Sequence, residues 1–201
     1  MIINFSDLFL NESIEIIKSI NKNDIEEIVD ILLETKINKG RLFIIGSGGG
    51  AGHASHAVCD FRKICNIDAY APYDNVSELT ARVNDEGWET TIINNLKISN
   101  LNKNDTIFVF SVGGGDKDNN ISKNIVMALE YAKKLKTKII GIVGRDGGYT
   151  KKLGDCVLVI PTVNNDRITP HTEGFQSIIW HLIVSHPKLQ INNTKWESIK
   201  K

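Results

Sequence analysis

Apolar and polar positions divide the chain into a helical start and a strand–helix alternation. Leu8, Ile14, Ile17 and Ile20 recur at helical spacing in the first stretch, and Ile25, Ile28, Val29, Ile31 and Leu32 do so in the next. Asn23 with Asp24 supplies a capping signal for the second helix. Past "NKG" (38–40) the pattern changes to "RLFII", a short apolar run that predicts a buried strand. "DTIFVFS" (105–111), "KIIGIVG" (138–144) and "DCVLVIP" (155–161) repeat it, separated by helical segments, and "AYAPY" (69–73) supplies one more short strand. These runs are rich in Ile and Val and do not alternate with polar residues. Strands of that kind belong to a parallel sheet covered on both faces, so the expected architecture is a doubly wound α/β fold.

A chain of 201 residues suits one domain, since at that size roughly 70% of the unfolded surface can leave water around a single core. The expected organisation is N-terminal helices over 1–38, an α/β core over 41–186, and a polar tail over 187–201 read as a loose extension. With 24 basic and 24 acidic side chains the formal charge is zero, so no overall field draws the protein to nucleic acid or to an anionic membrane, and neither is expected as a partner. The first twenty residues mix Asp7, Glu12 and Glu15 among apolar ones and lack a secretory pattern. No run reaches the roughly 20 apolar residues of a membrane span. Cys59, Cys65 and Cys156 form no CxxC pair, which fits reduced thiols and an expected cytoplasmic location.

Glycine gathers where strands end: Gly46 to Gly52, Gly113 to Gly115, and Gly144, Gly147 and Gly148. In doubly wound sheets ligands sit beyond those strand ends, and a glycine loop leading into a helix N-terminus suits phosphate. The first loop, "GSGGGAG" (46–52), satisfies GxGxxG only loosely, and Asp68 falls before the weak strand instead of after it, so a dinucleotide site is disfavoured. The second, "SVGGGDKDNNISKN" (111–124), sets Ser111 behind the strand and Ser122 at the expected N-cap of the next helix, hydroxyls at both ends of three glycines. Lys117 between Asp116 and Asp118 reads as a solvated turn.

Four histidine and acid positions add metal-type chemistry. On a helix after Gly52, His56 and Asp60 are i and i+4 and aim at a common point, with His53 near the same face. "TPHTEGFQSIIWHLIVSH" (169–186) predicts an apolar helix starting after Pro170, on which Glu173 and His181 lie eight residues apart and can look into one cleft. Two imidazoles and two carboxylates suit a divalent metal such as zinc; read singly, each His is as well explained by a surface hydrogen bond and the His56–Asp60 pair by a salt bridge.

"FIIGSGGGAGHASHAVCDF", "FVFSVGGGDKDNNIS" and "IIGIVGRDGG", followed by "TEGFQSIIWHL", resemble the sugar isomerase (SIS) domain, most closely the phosphoheptose isomerases, over roughly residues 5 to 186. The resemblance implies a single SIS domain of flavodoxin-like winding. The activity it implies interconverts D-sedoheptulose 7-phosphate and D-glycero-D-manno-heptose 7-phosphate, supplying heptose for lipopolysaccharide or capsule. It further implies a homotetramer with active sites at subunit interfaces and a zinc ion held by His56, Asp60, Glu173 and His181. By the same resemblance Asp60 is the candidate base and His181 its acid/base partner. Ser47, Gly48, Gly49, Asn84, Asp85, Ser111, Gly113, Ser122 and Glu173 are the candidate substrate contacts. The chain departs from the family pattern at Asp60 and Glu173, commonly glutamate and glutamine, and at Ser47 and Gly50, commonly asparagine and serine. The SxSGNS phosphate loop loses its middle serine at Gly113 and gains six residues before Ser122. A non-catalytic SIS protein that binds a sugar phosphate or a replication-initiator partner is the alternative from another class. A nicotinamide-dependent dehydrogenase, resting on the glycine loop alone, is a third.

Overall fold

The computed structural model describes residues 4–199. Two helices, α1 (Phe5–Ser19) and α2 (Lys22–Ile37), lead into β1 (Leu42–Gly46), α3 (Gly49–Lys63), β2 (Ala69–Tyr70), α4 (Val76–Glu86) and α5 (Thr91–Ile98). β3 (Thr106–Ser111), α6 (Lys123–Leu135), β4 (Lys138–Val143), α7 (Gly148–Leu153), β5 (Cys156–Val159), α8 (Ile168–Val184) and the short α9 (Lys195–Ser198) complete the chain. All five strands pair in parallel, in the order β2-β1-β3-β4-β5. This is the flavodoxin-like winding expected, and "AYAPY" contributes its short edge strand.

Alternate strand residues feed two cores because successive side chains point to opposite faces. Ile44, Phe108 and Ile140 are register partners across β1, β3 and β4 and pack under α2, α3 and α8. Phe43, Ile107 and Ile139 face the other way, against Ile92 and Leu96 of α5 and Leu129 of α6. Continuous burial along β1 and β3 explains why neither strand shows polar alternation.

Several expectations need correction. The cap of α2 is Asn21, whose side chain accepts from Asn23 N–H at 3.1 Å, so the helix starts before Asn23 and Asp24. α8 begins at Ile168, two residues before Pro170. A proline is tolerated in the first helical turn, where its missing N–H has no partner to lose. Leu8, Ile14 and Ile17, the expected core face of α1, are exposed; Ile16 and Glu12 are the residues of α1 that are buried. The tail after Pro187 is anchored at its start: Leu189 is fully buried, and the N–H groups of Ile191 and Asn192 both donate to Ile64 C=O.

Candidate active site

The winding reverses between β1 and β3, so the segments that leave those two strands flank the cleft where doubly wound sheets bind ligands. After β1 only Ser47 and Gly48 form a loop. Gly48 is the N-cap at φ +57°, a left-handed conformation natural to glycine, and α3 starts at Gly49. The expected glycine loop is therefore largely the first turn of a helix. Gly49 is glycine for a second reason: a Cβ there would stand 2.5 Å from the carboxyl carbon of Glu173. The N-terminal turns of α8 thus lie against the N-terminal turn of α3.

Further along, the two helices carry the cluster. His56 Nε2 is 3.8 Å from Asp60 Oδ2, and His181 Nε2 reaches the same oxygen at 3.9 Å. Ligand atoms of His56, Asp60 and His181 all lie within 4.8 Å of one another, the one such His/Cys/Asp/Glu group of three or more among the described residues. His181 Nδ1 lies 2.7 Å from Ser177 C=O. A carbonyl only accepts, so Nδ1 carries the proton and the Nε2 lone pair is turned toward Asp60. The His56 ring meets the fully buried Trp180 edge-on, with centroids 4.8 Å apart, which gives the cluster an apolar wall. Two imidazole nitrogens and one carboxylate oxygen are donor types that suit a divalent metal such as zinc. Glu173, expected as a fourth ligand, does not join them: its carboxylate stands over Gly49, nearly two helical turns before His56. His53 lies outside the cluster as well.

The β3–α6 segment differs from a simple phosphate loop. Ser111 is buried and its Oγ accepts from Gly114 N–H at 3.0 Å. Asp116 and Ile121 exchange two backbone hydrogen bonds of 2.9 Å, which folds the extra residues into a tight hairpin. Asn119 and the neighbouring N–H groups bond the Asp116 carboxyl and lower its pKa. Lys117 pairs with Glu130 at 2.5 Å. Ser122 occupies the N-cap position of α6 but in the left-handed region, and its side chain makes no capping bond, contrary to expectation. Gly113 and Arg145 border a cavity of about 610 Å³ between this hairpin and α7. Arg62 lies over the Tyr70 ring. Asn84 and Asp85 are exposed near the end of α4, bonded to each other at 2.7 Å and to no member of the cluster.

Three contributors were not visible in the sequence. Ser177, which sets the His181 tautomer, stands one helical turn before it, a spacing that could have been noticed. Tyr73 and Asn124 gave no signal. Asn124 is completely buried, and its amide donates to Tyr73 Oη at 2.5 Å and to Ser47 Oγ at 3.3 Å.

The model of the SIS domain matches residues 8–144. Phosphoheptose isomerase from Helicobacter pylori is 33% identical over 151 residues, covering 72% of this chain and 74% of that protein. The chain belongs to the SIS family. More narrowly, it is an isomerase of the phosphoheptose isomerase group, as the sequence resemblance implied. In fold it is similar to phosphoheptose isomerase GmhA from Neisseria gonorrhoeae, with a TM-score of 0.75 and 22% identity, covering 88% of this chain and 94% of that one. A phosphoheptose isomerase from Francisella tularensis is similar to the same degree, covering 89% and 93%.

Proposed function

We propose that this protein interconverts D-sedoheptulose 7-phosphate and D-glycero-D-manno-heptose 7-phosphate, and so supplies heptose to a surface glycan. The observation that carries the reading is the convergence of His56, Asp60 and His181 from two helices, within 4.8 Å, about two helical turns and more along α3 from its glycine turn. His56, Asp60 and His181 would hold a divalent metal, with zinc best suited to two nitrogens and an oxygen. When bound, the cation polarises the sugar carbonyl and orients its oxygens.

The residues of the chain supply the rest. The reaction moves a proton between C1 and C2 of the sugar through an enediol, with a second proton moving between the two oxygens. Asp60 faces the common point and is the candidate base through its second carboxylate oxygen, while Ser177 holds the His181 imidazole in the tautomer whose Nε2 lone pair is free for the cation. Glu173, free of the cluster and at the head of α3, accepts hydrogen bonds from the sugar hydroxyls. Ser47, Gly48 and Gly49 at the start of α3, and Gly113 to Ser122 before α6, receive the phosphate on backbone N–H groups and hydroxyls. The exposed apolar residues Phe5, Leu10, Ile14 and Ile17 of α1, with Ile178 and Leu182 of α8, favour assembly into a tetramer that covers them.

The test is proton-exchange NMR of the purified protein with D-sedoheptulose 7-phosphate in deuterated water, with and without zinc. Deuterium uptake beside the carbonyl and appearance of the aldose are expected in the zinc-loaded sample. No exchange there, with any ketose phosphate of five to seven carbons, overturns the reading in favour of a non-catalytic sugar-phosphate binder.

A further inference from the structure

Asn124 presents an unusual case of buried polarity. Its side chain is fully buried in the first turn of α6, and while its amide N–H₂ has two partners, its Oδ1 is buried with none. Leaving such an atom unpaired is costly, so its position is held by something else. That something is Tyr73, whose hydroxyl receives the Asn124 amide at 2.5 Å. Tyr73 is itself fixed: its ring lies parallel to Trp88, with an interplanar angle of 4° and centroids 6.0 Å apart. Burial pushes its phenol up to about 12, so it stays protonated and keeps a donor for a neighbouring oxygen.

The same amide reaches Ser47 Oγ at 3.3 Å. Three segments distant in sequence are therefore tied at one point: the turn before α3, the stretch after β2, and the start of α6. The first and last flank the cleft at the winding reversal. Among the described residues the Asn124–Ser47 bond joins these two turns directly, and the Tyr73 hydroxyl, bonded to both side chains, joins them a second time. The β3–α6 segment is not braced by its own hydroxyls, since Gly113 has none, Ser111 Oγ is taken up as acceptor for Gly114 N–H, and Ser122 makes no capping bond.

We infer that Tyr73 is a positioning residue for the phosphate end of the substrate. Through Asn124 it holds the α6 N-terminus and Ser47 at the separation that a phosphate needs to touch both. Tyr73 does not touch the reacting carbons, which lie at the His56–Asp60–His181 end of the cleft. Its loss weakens binding of phosphorylated sugar and leaves the proton-transfer step alone. This inference rests on the isomerase reading above.

The experiment compares wild type and Tyr73→Phe on D-sedoheptulose 7-phosphate and on unphosphorylated sedoheptulose. Phenylalanine keeps the ring, its burial and the stack on Trp88. The expected result is a KM about tenfold higher for the phosphorylated sugar, the size of one hydrogen bond lost, with kcat within about threefold. Turnover per KM on the unphosphorylated sugar and zinc content stay at the wild-type values. Asn124→Ala, which removes the tie from the other side, shows the same split with a larger rise in KM. An unchanged KM in an active Tyr73→Phe enzyme overturns the inference and leaves the isomerase reading standing, and so does an equal loss on both sugars. A wild-type protein inert toward every ketose phosphate overturns both.

Discussion

His181→Ala separates the cluster from the scaffold that carries it. The side chain is 48% exposed, so its removal empties no core cavity, and the fold of the metal-free protein should be intact, with a melting temperature within about 2 °C of wild type. The effect on metal is much larger. A four-ligand zinc site is worth about 10–16 kcal/mol in all, roughly 3 kcal/mol per ligand, so losing one of the three donors here weakens zinc at least about 100-fold. Nothing in the described structure replaces it: Ser177 is bonded to His181 through its backbone carbonyl, and Glu173 stands over Gly49. The assay is competition with a chromophoric chelator, followed by sedoheptulose 7-phosphate turnover at scarce and at saturating zinc. A variant that holds zinc as tightly as wild type would show that His181 is not a ligand. Full turnover in zinc-free wild type would refute the metal reading altogether.

Three further outcomes follow from other contacts. Glu173→Gln should leave zinc affinity within about threefold in the same competition, because its carboxylate is outside the cluster; a drop like that of His181→Ala would return it to the metal shell. Asp105 is 1% exposed and accepts from Arg41 N, Nε and Nη2 and from Asn102 N and Nδ2, so Asp105→Ala should cost about 3 kcal/mol in urea unfolding, the range for a broken buried pair. Glu12 is held at a pKa of about 2, chiefly by hydrogen bonds from Arg167 and then from His171, against an ordinary 4.5. Because the folded value is the lower one, its stabilising effect is present above about 4.5 and is lost as pH falls from there toward 2. Melting curves between pH 5 and 3 should therefore fall more steeply for wild type than for Glu12→Gln, and parallel curves would contradict the assignment.

The sheet was legible in the chain because burial on both faces leaves a local mark: "FVFS" and "IIGIV" carry no polar alternation whatever their neighbours turn out to be. The His56–Asp60 pair was legible for a similar reason, since four residues on one helix are always close. That His181 joins them, and that Glu173 does not, depended on the packing of α3 and α8, helices more than a hundred residues apart whose relative level is set by Gly49 and by Thr172 lying against Gly144. The apolar stripe of α1 shows the limit from the other side: Leu8, Ile14 and Ile17 repeat as a core face does, yet among the described residues they remain exposed. Periodicity reports that a face is apolar, and only the surrounding structure says against what it is buried. Tyr73 and Asn124 had no local signature, because a hydrogen bond between residues 51 positions apart exists only once the winding reversal brings their segments together.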